Sequence, residues 1–423
     1  MTAGGFGLEQ LLALPIFIVA FVVLLSVIVF FHEFGHFSVA RLLGVRVEVF
    51  SIGFGKTIAR WVDGHGTEWR ISMIPLGGYV RFFGDANAAS QADPAIAEEA
   101  AEAEPVTTQF PRPGRHREGA EKLSPEERKY CCHFKPVWAR AAIVAAGPIA
   151  NFILSIAIFW CILMAYGEGV LEARIGEVAE HSAAAEAGFQ PGDKIVAIDG
   201  RKIKDFEDLS IAAKLGAGEH LVFTVERDGQ TITIEATPRR TETTDSFGNP
   251  VTTGMLGVRP DPSGYKRITY SPVAALGAAS EKVWEVISVS MKFLGRLITG
   301  KEDLGQLGGP IKMAQYAGQS AMSGFDQSEY QTKPSFLTMI EVSLINFINF
   351  AALASVSIGF LNLLPVPVLD GGHLMYYAYE AIARRPMGAR AQAIGFRVGI
   401  VLLASLMLFV TWNDISKLPL FQN

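Results

Sequence analysis

The pentapeptide His32-Glu33-Phe34-Gly35-His36 contains residue types that can hydrolyse a peptide bond with the help of a metal ion. On a helix, residues four apart project from nearly the same side, so His32 and His36 can hold one ion together. Glu33 lies about 100° round the helix, where its carboxylate can act on water without binding the ion. Zinc hydrolysis requires this division of roles. The pattern predicts His32 and His36 as zinc ligands and Glu33 as the general base.

A catalytic zinc site has three protein ligands and one open position, so a third ligand is needed from another apolar segment. The predicted third ligand is Asp370, which follows Pro365 and Pro367. These prolines break a helix, and a membrane tolerates a broken helix only where the backbone lines a protein cavity. An ordinary interfacial turn is the alternative interpretation of Asp370. His373 is the competing ligand and ranks below it, because the two intervening glycines direct His373 towards solvent.

Long apolar stretches must position these residues. Hydrophobic residues make up 50% of the 423 residues and charged residues only 19%, whereas soluble proteins carry about 25% charged residues. A bilayer core needs roughly 20 apolar residues as a helix. Four stretches satisfy this, at 11–31, 141–166, 342–369 and 391–412. The composition therefore predicts a membrane protein. The net charge of −5 gives no reason to expect a nucleic-acid partner, and the three cysteines form no Cys-x-x-Cys pair.

The basic residues beside the four stretches predict their orientation, because Lys and Arg concentrate in cytoplasmic loops. The loops between stretches one and two and between three and four are flanked by Arg41, Arg46, Lys129, Lys135, Arg140, Arg384, Arg385, Arg390 and Arg397. The opposite side has Arg174, Lys333 and Lys417. We therefore expect both termini and the 167–341 segment outside the cytoplasm. The zinc motifs then lie towards the cytoplasmic side.

Two motifs together resemble the signatures of the site-2 protease family. They are His32-Glu33-x-x-His36 and Asn362-x-x-Pro365-x-Pro367-x-Leu369-Asp370-Gly371-Gly372. Shorter stretches are similar to the bacterial RseP-like branch of that family, namely Phe50-Ser51-Ile52-Gly53-Phe54-Gly55, Pro75-Leu76-Gly77-Gly78-Tyr79-Val80, Ala146-Gly147-Pro148-x-x-Asn151-Phe152 and Gly309-Pro310-Ile311. The resemblance covers nearly the whole chain apart from 86–125. Members of this family are membrane-embedded zinc metalloproteases that perform regulated intramembrane proteolysis.

The resemblance implies a Zn²⁺ cofactor and a location in the bacterial inner membrane. It implies as substrates the transmembrane segments of single-span proteins, such as anti-sigma factor regulators already trimmed outside, or remnant signal peptides. By the same resemblance, Asn362 and Asn151 hold the unwound substrate. Asn151 can equally form a hydrogen bond between helices.

The segments 69–74 and 79–83 predict two short strands that form a hairpin around Pro75-Leu76-Gly77-Gly78. A surface hairpin on the cytoplasmic loop is one interpretation. The resemblance implies instead a re-entrant β-hairpin in the membrane, with Gly77 and Gly78 beside the substrate. An exposed strand edge can bind an unwound substrate by β-augmentation.

Between the second and third stretches, alternating strands and a short helix resemble a single PDZ domain. Its predicted ligand strand contains Gly254, Met255, Leu256 and Gly257, with backbone N–H groups available to a peptide or protein terminus. The domain can instead act as a steric filter. Residues 272–300 have apolar positions at helical spacing and predict an amphipathic helix at the outer membrane surface.

The predicted fold is a membrane protein with an α-helical core of four transmembrane helices, a re-entrant β-hairpin and an inserted extracytoplasmic PDZ (α+β) domain. The predicted segments are 1–43, the first transmembrane helix; 44–85, a cytoplasmic or membrane-associated β region; 86–135, a flexible cytoplasmic insert and a short helix; 136–167, the second transmembrane helix; 168–262, the PDZ domain; 263–336, amphipathic extracytoplasmic helices; 337–376, the third transmembrane helix with the Asp370 motif; and 377–423, the fourth transmembrane helix and a tail.

Three other functions remain open at this point. A zinc transporter would distribute ionisable residues along the spans as a pathway, whereas here they gather at one depth. A PDZ-bearing scaffold would carry an inactive metal motif, but Glu33 is intact. A metalloprotease with its site outside the bilayer would place the pentapeptide on a polar amphipathic helix. Here it continues about twenty apolar residues.

Overall fold

The computed structural model describes residues 8–85, 124–244, 250–325 and 334–416. Most of the predicted flexible insert lies outside the described residues. In chain order the helices are α1 (Leu8–Leu42), α2 (Pro125–Arg128), α3 (Val137–Tyr166), α4 (Ala183–Ala187), α5 (Phe206–Leu215), α6 (Pro272–Ile298), α7 (Pro310–Met322), α8 (Phe336–Asn362), α9 (Asp370–Ala383) and α10 (Ala389–Ser416).

The strands fall into two groups separated by α3. The first group is β1 (Val47–Val62) and β2 (Glu68–Phe82). The second is β3 (Glu168–Leu171), β4 (Ile175–Val178), β5 (Lys194–Ile198), β6 (Arg201–Lys202), β7 (Leu221–Arg227), β8 (Gln230–Ala236), β9 (Arg239–Thr244), β10 (Pro250–Met255), β11 (Val258–Pro260) and β12 (Tyr265–Ile268).

Four of the described helices are long and apolar enough to cross a membrane, namely α1 over Leu14–Leu42, α3, α8 and most of α10. They correspond to the four predicted stretches. The third stretch needs a correction at its C-terminal end. Helix α8 ends at Asn362, and Asp370 begins the separate helix α9 instead of ending the span. The intervening Pro365 and Pro367 explain the break, because proline lacks the N–H that would continue the helix.

Helices α6 and α7 pack directly against the spans. Ala275, Ala279 and Val283 recur every four residues on α6 and are buried against α3 and α8. On α7, Ala317 lies in a buried cluster with residues of α1 that include Ile28 in the middle of that span. The predicted amphipathic helix at 272–300 is thus present as α6. The extracytoplasmic location predicted for the 263–336 segment stays a prediction.

The predicted hairpin around Pro75-Leu76-Gly77-Gly78 is wrong in its pairing. The strand β2 is continuous through this segment, and both of its halves pair with β1. Phe50 of β1, for example, is opposite both Trp69 and Val80. The first half of β1 therefore lies between the two segments that were expected to pair with each other. Local turn signals identified the chain reversal but could not identify the more distant strand that separates the two arms.

The soluble region has its own buried core around Ile175, Phe223 and Val225. Its central sheet has the strand order β6-β5-β7-β8. The predicted short helix is α4, which Ser182 caps at its N-terminus and Gly188 ends in a left-handed conformation. Helix α5 was not predicted. These elements agree with an α+β domain, and the PDZ assignment stays a prediction.

The predicted ligand strand of this domain is interrupted. Gly254 and Met255 belong to β10, where they pair with Arg240 and Arg239 of β9. Leu256 is buried in the domain core, with 3% of its surface exposed. Gly257 has a φ of +85°, which favours glycine and turns the chain before β11. The segment is therefore not one open strand, and its binding of a peptide terminus remains a prediction.

Candidate metal centre

Two glycines allow α1 and α3 to cross closely at the site. A Cβ atom on Gly35 of α1 would lie 2.7 Å from the Cβ of Ala150 on α3. A Cβ atom on Gly147 of α3 would collide with the imidazole ring of His36. The absence of side chains at both positions therefore brings the pentapeptide against α3. The Ala146-Gly147-Pro148 motif identified in the sequence is the surface that receives His36.

The structure brings His32, His36 and Asp370 together. The Nε2 atom of His32 lies 3.1 Å from Oδ2 of Asp370, and the Nε2 atom of His36 lies 3.5 Å from the same oxygen. The two Nε2 atoms are 3.3 Å apart. Among the residues that the structure describes, these three side chains form the only group of three or more His, Cys, Asp or Glu side chains close enough to share a metal ion.

The arrangement fits a tetrahedral zinc ion. Ligand atoms about 2.0–2.1 Å from a tetrahedral zinc lie roughly 3.3 Å from one another. The three observed separations, from 3.1 to 3.5 Å, surround that value. Oδ2 of Asp370 is also buried and accepts no hydrogen bond within the described part of the chain. Two imidazole nitrogens and one carboxylate oxygen are a donor set typical of catalytic zinc, which keeps a fourth position open.

A backbone contact orients His36. Its Nδ1 atom is 2.9 Å from the carbonyl oxygen of Ile143 on α3. A carbonyl oxygen only accepts hydrogen bonds, so Nδ1 of His36 is the protonated nitrogen. The lone pair of His36 is therefore on Nε2, the atom that faces His32 and Asp370. The sequence motif gave no indication of this contact, because it depends on the crossing of two helices.

Two further glycines set the position of Asp370. A Cβ atom on Gly371 would collide with the carbonyl oxygens of residues 363 and 364, and one on Gly372 with the carbonyl oxygen of Val366. The first turn of α9 can thus lie against the proline-containing segment and direct Asp370 towards α1. His373 lies outside the three-residue group and has a ring contact with Tyr376.

Glu33 lies beside the sheet instead of within the three-residue group. A Cβ atom on Gly78 would be 2.9 Å from Cγ of Glu33, and the backbone of Val80 donates a hydrogen bond to the Glu33 carboxylate. Strand β2 therefore contacts the pentapeptide next to the two histidines. Gly77, with a φ of +134°, lies against the ring of Phe54 on β1.

The two asparagines that the sequence singled out lie in different surroundings. Asn151 on α3 is fully buried, and its Nδ2 atom is 3.3 Å from Nδ1 of His32. Asn362 is the last residue of α8 and is half-buried. The substrate contacts predicted for both residues remain predictions. The contact of Asn151 with His32 joins α3 to α1, as in the alternative interpretation of a hydrogen bond between helices, although the sequence did not indicate His32 as the partner.

The sequence Cys131-Cys132-His133 does not form a second metal site among the described residues. Both thiols are buried, and burial raises the pKa of the Cys132 thiol well above its ordinary value. His133 hydrogen-bonds through Nε2 to Asp85, at 3.0 Å. A thiol that keeps its proton is a poor zinc ligand, which agrees with the position of these residues outside the metal-binding group.

Comparison with known proteins agrees with the geometry of the site. Residues 20–406 match the model of peptidase family M50. The chain belongs to this family. It is 41% identical over 408 residues to the metalloprotease MmpA of Caulobacter vibrioides, covering 96% of this chain and 97% of that protein. It is 43% identical over 404 residues to a predicted zinc metalloprotease of Agrobacterium fabrum, covering 95% and 96%.

A third relative is the regulator of sigma-E protease RseP of Salmonella typhimurium, which is 30% identical over 498 residues. The alignment covers 94% of this chain and 98% of RseP. The resemblance to the site-2 protease family is thereby confirmed, and the chain is a zinc metalloprotease of that type.

Proposed function

We propose that this protein is an intramembrane endopeptidase that cleaves transmembrane segments of single-span proteins near their cytoplasmic ends. The proposed substrates are anti-sigma factor type regulators and remnant signal peptides, cleaved in regulated intramembrane proteolysis. One observation carries the proposal. The ligand atoms of His32, His36 and Asp370 lie as far apart as the ligand atoms of a tetrahedral zinc ion. The two histidines are on the long apolar helix α1, and Asp370 begins the helix that follows the long apolar helix α8. Ionisable groups at such positions are costly and are typical of function.

Each of the four residues has a proposed role. His32, His36 and Asp370 would hold zinc, and bound zinc would supply a Lewis acid that polarises the scissile carbonyl and activates water. Glu33, which is near this group without belonging to it, would accept a proton from the attacking water at its carboxylate. It would then return the proton to the leaving amine.

Substrate binding is proposed at the edge of β2 beside Glu33. The hydrogen bonds of a helix hide the carbonyl that must be attacked, so the substrate has to unwind locally. The segment 78–82 has β1 as its strand partner, and β1 is the only strand paired with it in the described part of the chain. An unwound substrate can therefore add a strand next to Gly77 and Gly78. Asn362, eight residues before Asp370, is proposed to hold the same unwound segment.

The proposed location is the bacterial inner membrane, with both termini outside and the zinc site towards the cytoplasm. Two contacts support the placement of the zinc site and the soluble domain at opposite ends of the spans. At one end of the spans, the buried Cys132 packs in one cluster with Val45 of the loop after α1. At the other end, the hydroxyl of Tyr166 on α3 donates to Glu341 on α8. The soluble domain therefore connects to the end of the spans away from the zinc site, where it is proposed to bind a peptide or protein terminus or to filter substrates.

The proposal is tested with purified full-length protein in liposomes and single-span substrates whose products are identified by mass spectrometry. We expect cleavage inside the substrate span, abolished by a zinc chelator and restored by added zinc. The matched control is a substrate whose span is replaced by a polyleucine helix, which resists unwinding and should be cleaved far more slowly. Cleavage only outside the span, or cleavage that persists in chelator, would contradict the proposal.

A further inference from the structure

Asn151 is a buried residue of α3, and its side chain contacts His32 of the metal centre. None of its surface is exposed, and the amide lies 3.3 Å from Nδ1 of His32. Its Oδ1 atom has no hydrogen-bond partner within the described residues. A buried polar group without a partner is costly and calls for an explanation.

The zinc site requires a particular tautomer of His32. The Nε2 atom of His32 faces Asp370 and His36, so it must carry the lone pair when it binds an ion. The proton is then on Nδ1, which must donate a hydrogen bond. The amide of Asn151 is the group placed to accept it. Only the oxygen of an amide can accept, and the two ends of an amide are exchanged by a rotation of the side chain.

We propose that Asn151 is a positioning residue for His32, and that its Oδ1 atom accepts the Nδ1 hydrogen bond when zinc is bound. This rotation gives the buried oxygen a donor and leaves the His32 Nε2 lone pair directed at the metal. Outer hydrogen bonds of this kind fix the orientation of zinc-binding histidines and raise their basicity. The inference rests on the proposed zinc-binding role of His32.

The same helix serves both histidines. The Ile143 carbonyl accepts from Nδ1 of His36, and Asn151 lies two helical turns further along α3, opposite His32. The buried Ser355 of α8 donates from its hydroxyl to the backbone oxygen of Asn151, at 3.0 Å. Helix α3 thus presents one acceptor to each histidine. Helix α8 contacts α3 at Asn151, the acceptor for His32.

The test compares zinc affinity among full-length variants by competition with a chromophoric chelator, together with the absorption spectrum of the cobalt-substituted protein. Asn151→Leu, which removes the acceptor, should weaken zinc binding about 10- to 100-fold and change the cobalt spectrum. Asn151→Asp keeps an acceptor oxygen and should retain affinity close to that of the unchanged protein. The control is Asn346→Leu, which removes a 2.8 Å hydrogen bond to Ser323 elsewhere on a spanning helix and should leave affinity unchanged.

The outcomes separate this inference from the proposed function. If the unchanged protein binds no zinc, the proposed function fails. If it binds zinc and Asn151→Leu binds equally well, only the role of Asn151 fails. Loss of affinity in Asn151→Asp as large as in Asn151→Leu would also overturn that role, because it would mean that the amide nitrogen is the essential atom. Should Asn151→Leu not fold, the affinity of Asn151→Asp decides alone.

Discussion

Two polar clusters of this protein are built in opposite ways. In the metal centre, His32, His36 and Asp370 direct their ligand atoms at one point, and the buried Oδ2 of Asp370 accepts no hydrogen bond from the described residues. Where α6 meets the soluble domain, Arg296 pairs with both Glu219 and Glu302, and Lys301 pairs with Glu219 as well. The second cluster pairs its charged groups with opposite charges, whereas the first leaves the ligand oxygen of Asp370 without a hydrogen bond in the described part of the chain. Ligand atoms that converge in this way are suited to a bound cation, and mutually paired charges are suited to holding two elements together.

The largest effect is expected from Glu33→Gln. The amide keeps the size of the side chain but cannot take a proton, so turnover should fall at least about 100-fold, while zinc content stays near one per chain. Peptide cleavage and metal analysis on the same preparation measure both quantities. The control is Glu341→Gln on α8, which replaces another glutamate, 2.9 Å from the hydroxyl of Tyr166. It should keep turnover. Ordinary turnover in Glu33→Gln would remove the residue from its proposed role.

The next effect concerns the metal itself. Asp370→Ala removes one of three ligands, so zinc affinity should fall by more than the about 100-fold that loss of an outer hydrogen bond can cost. His373→Ala, three residues away but outside the ligand group, should keep its zinc. The measurement is zinc retention after dialysis against a chelator. If the two results were exchanged, His373 would be the third ligand and the geometry around Asp370 would need another explanation.

The sequence predicted the features of the metal centre that depend on local patterns, but not those that depend on contacts between distant segments. The spacing of His32 and His36 within one helix predicted that the two side chains lie together, and the length of the apolar stretches identified the four long apolar helices. The motif before Asp370 predicted the third member of the group. All of these are local signals. The pairing of β2 with β1, the crossing at Gly147 and the partner of Asn151 depend on segments far apart in the chain. Turn residues and hydropathy do not contain that information.

A glycine substitution tests whether close helix crossing maintains the metal centre. Gly147→Ala places a methyl group in the space of the His36 ring, so the ring must move and zinc affinity should fall about 10-fold or more, as for other changes in ligand orientation. Gly277→Ala on α6 is the matched control, because nothing lies within 4 Å of the added carbon. It should leave zinc binding intact and stabilise the helix by up to about 1 kcal/mol. Zinc titration measures the affinity of each variant, and thermal unfolding measures its stability. Equal zinc affinity in both variants would show that the crossing tolerates a shift of α1.

The ion-pair cluster predicts a smaller effect that is confined to stability. In Arg296→Met, the carboxylate of Glu302, whose side chain is 7% exposed, loses its ion-pair partner and keeps the hydrogen bond from Gln306. The local free energy of opening should fall by about 1 to 3 kcal/mol. Lys204→Met breaks the pair with Glu281, where both side chains are 61% exposed, and should cost less than about 1 kcal/mol. Hydrogen exchange of the amides in α6 reports both values. Similar losses would mean that burial does not distinguish these pairs.

The smallest expected effect is the pH dependence of the same contact. The hydrogen bonds that Glu219 accepts from Lys301, at 2.8 Å, and from Arg296, at 2.6 Å, lower the pKa of its carboxyl group. A lowered pKa in the folded state gives stability that is complete above the ordinary glutamate pKa of about 4.3 and is lost as the pH falls further. The local free energy of opening where Glu219 meets α6, measured by hydrogen exchange, should therefore stay constant between about pH 7 and 5. It should fall only below about pH 4. Glu219→Gln should remove that acid-dependent weakening while leaving zinc binding at neutral pH unchanged, because this cluster does not depend on the cation. Acid weakening of the same size in Glu219→Gln would show that Glu219 is not its source.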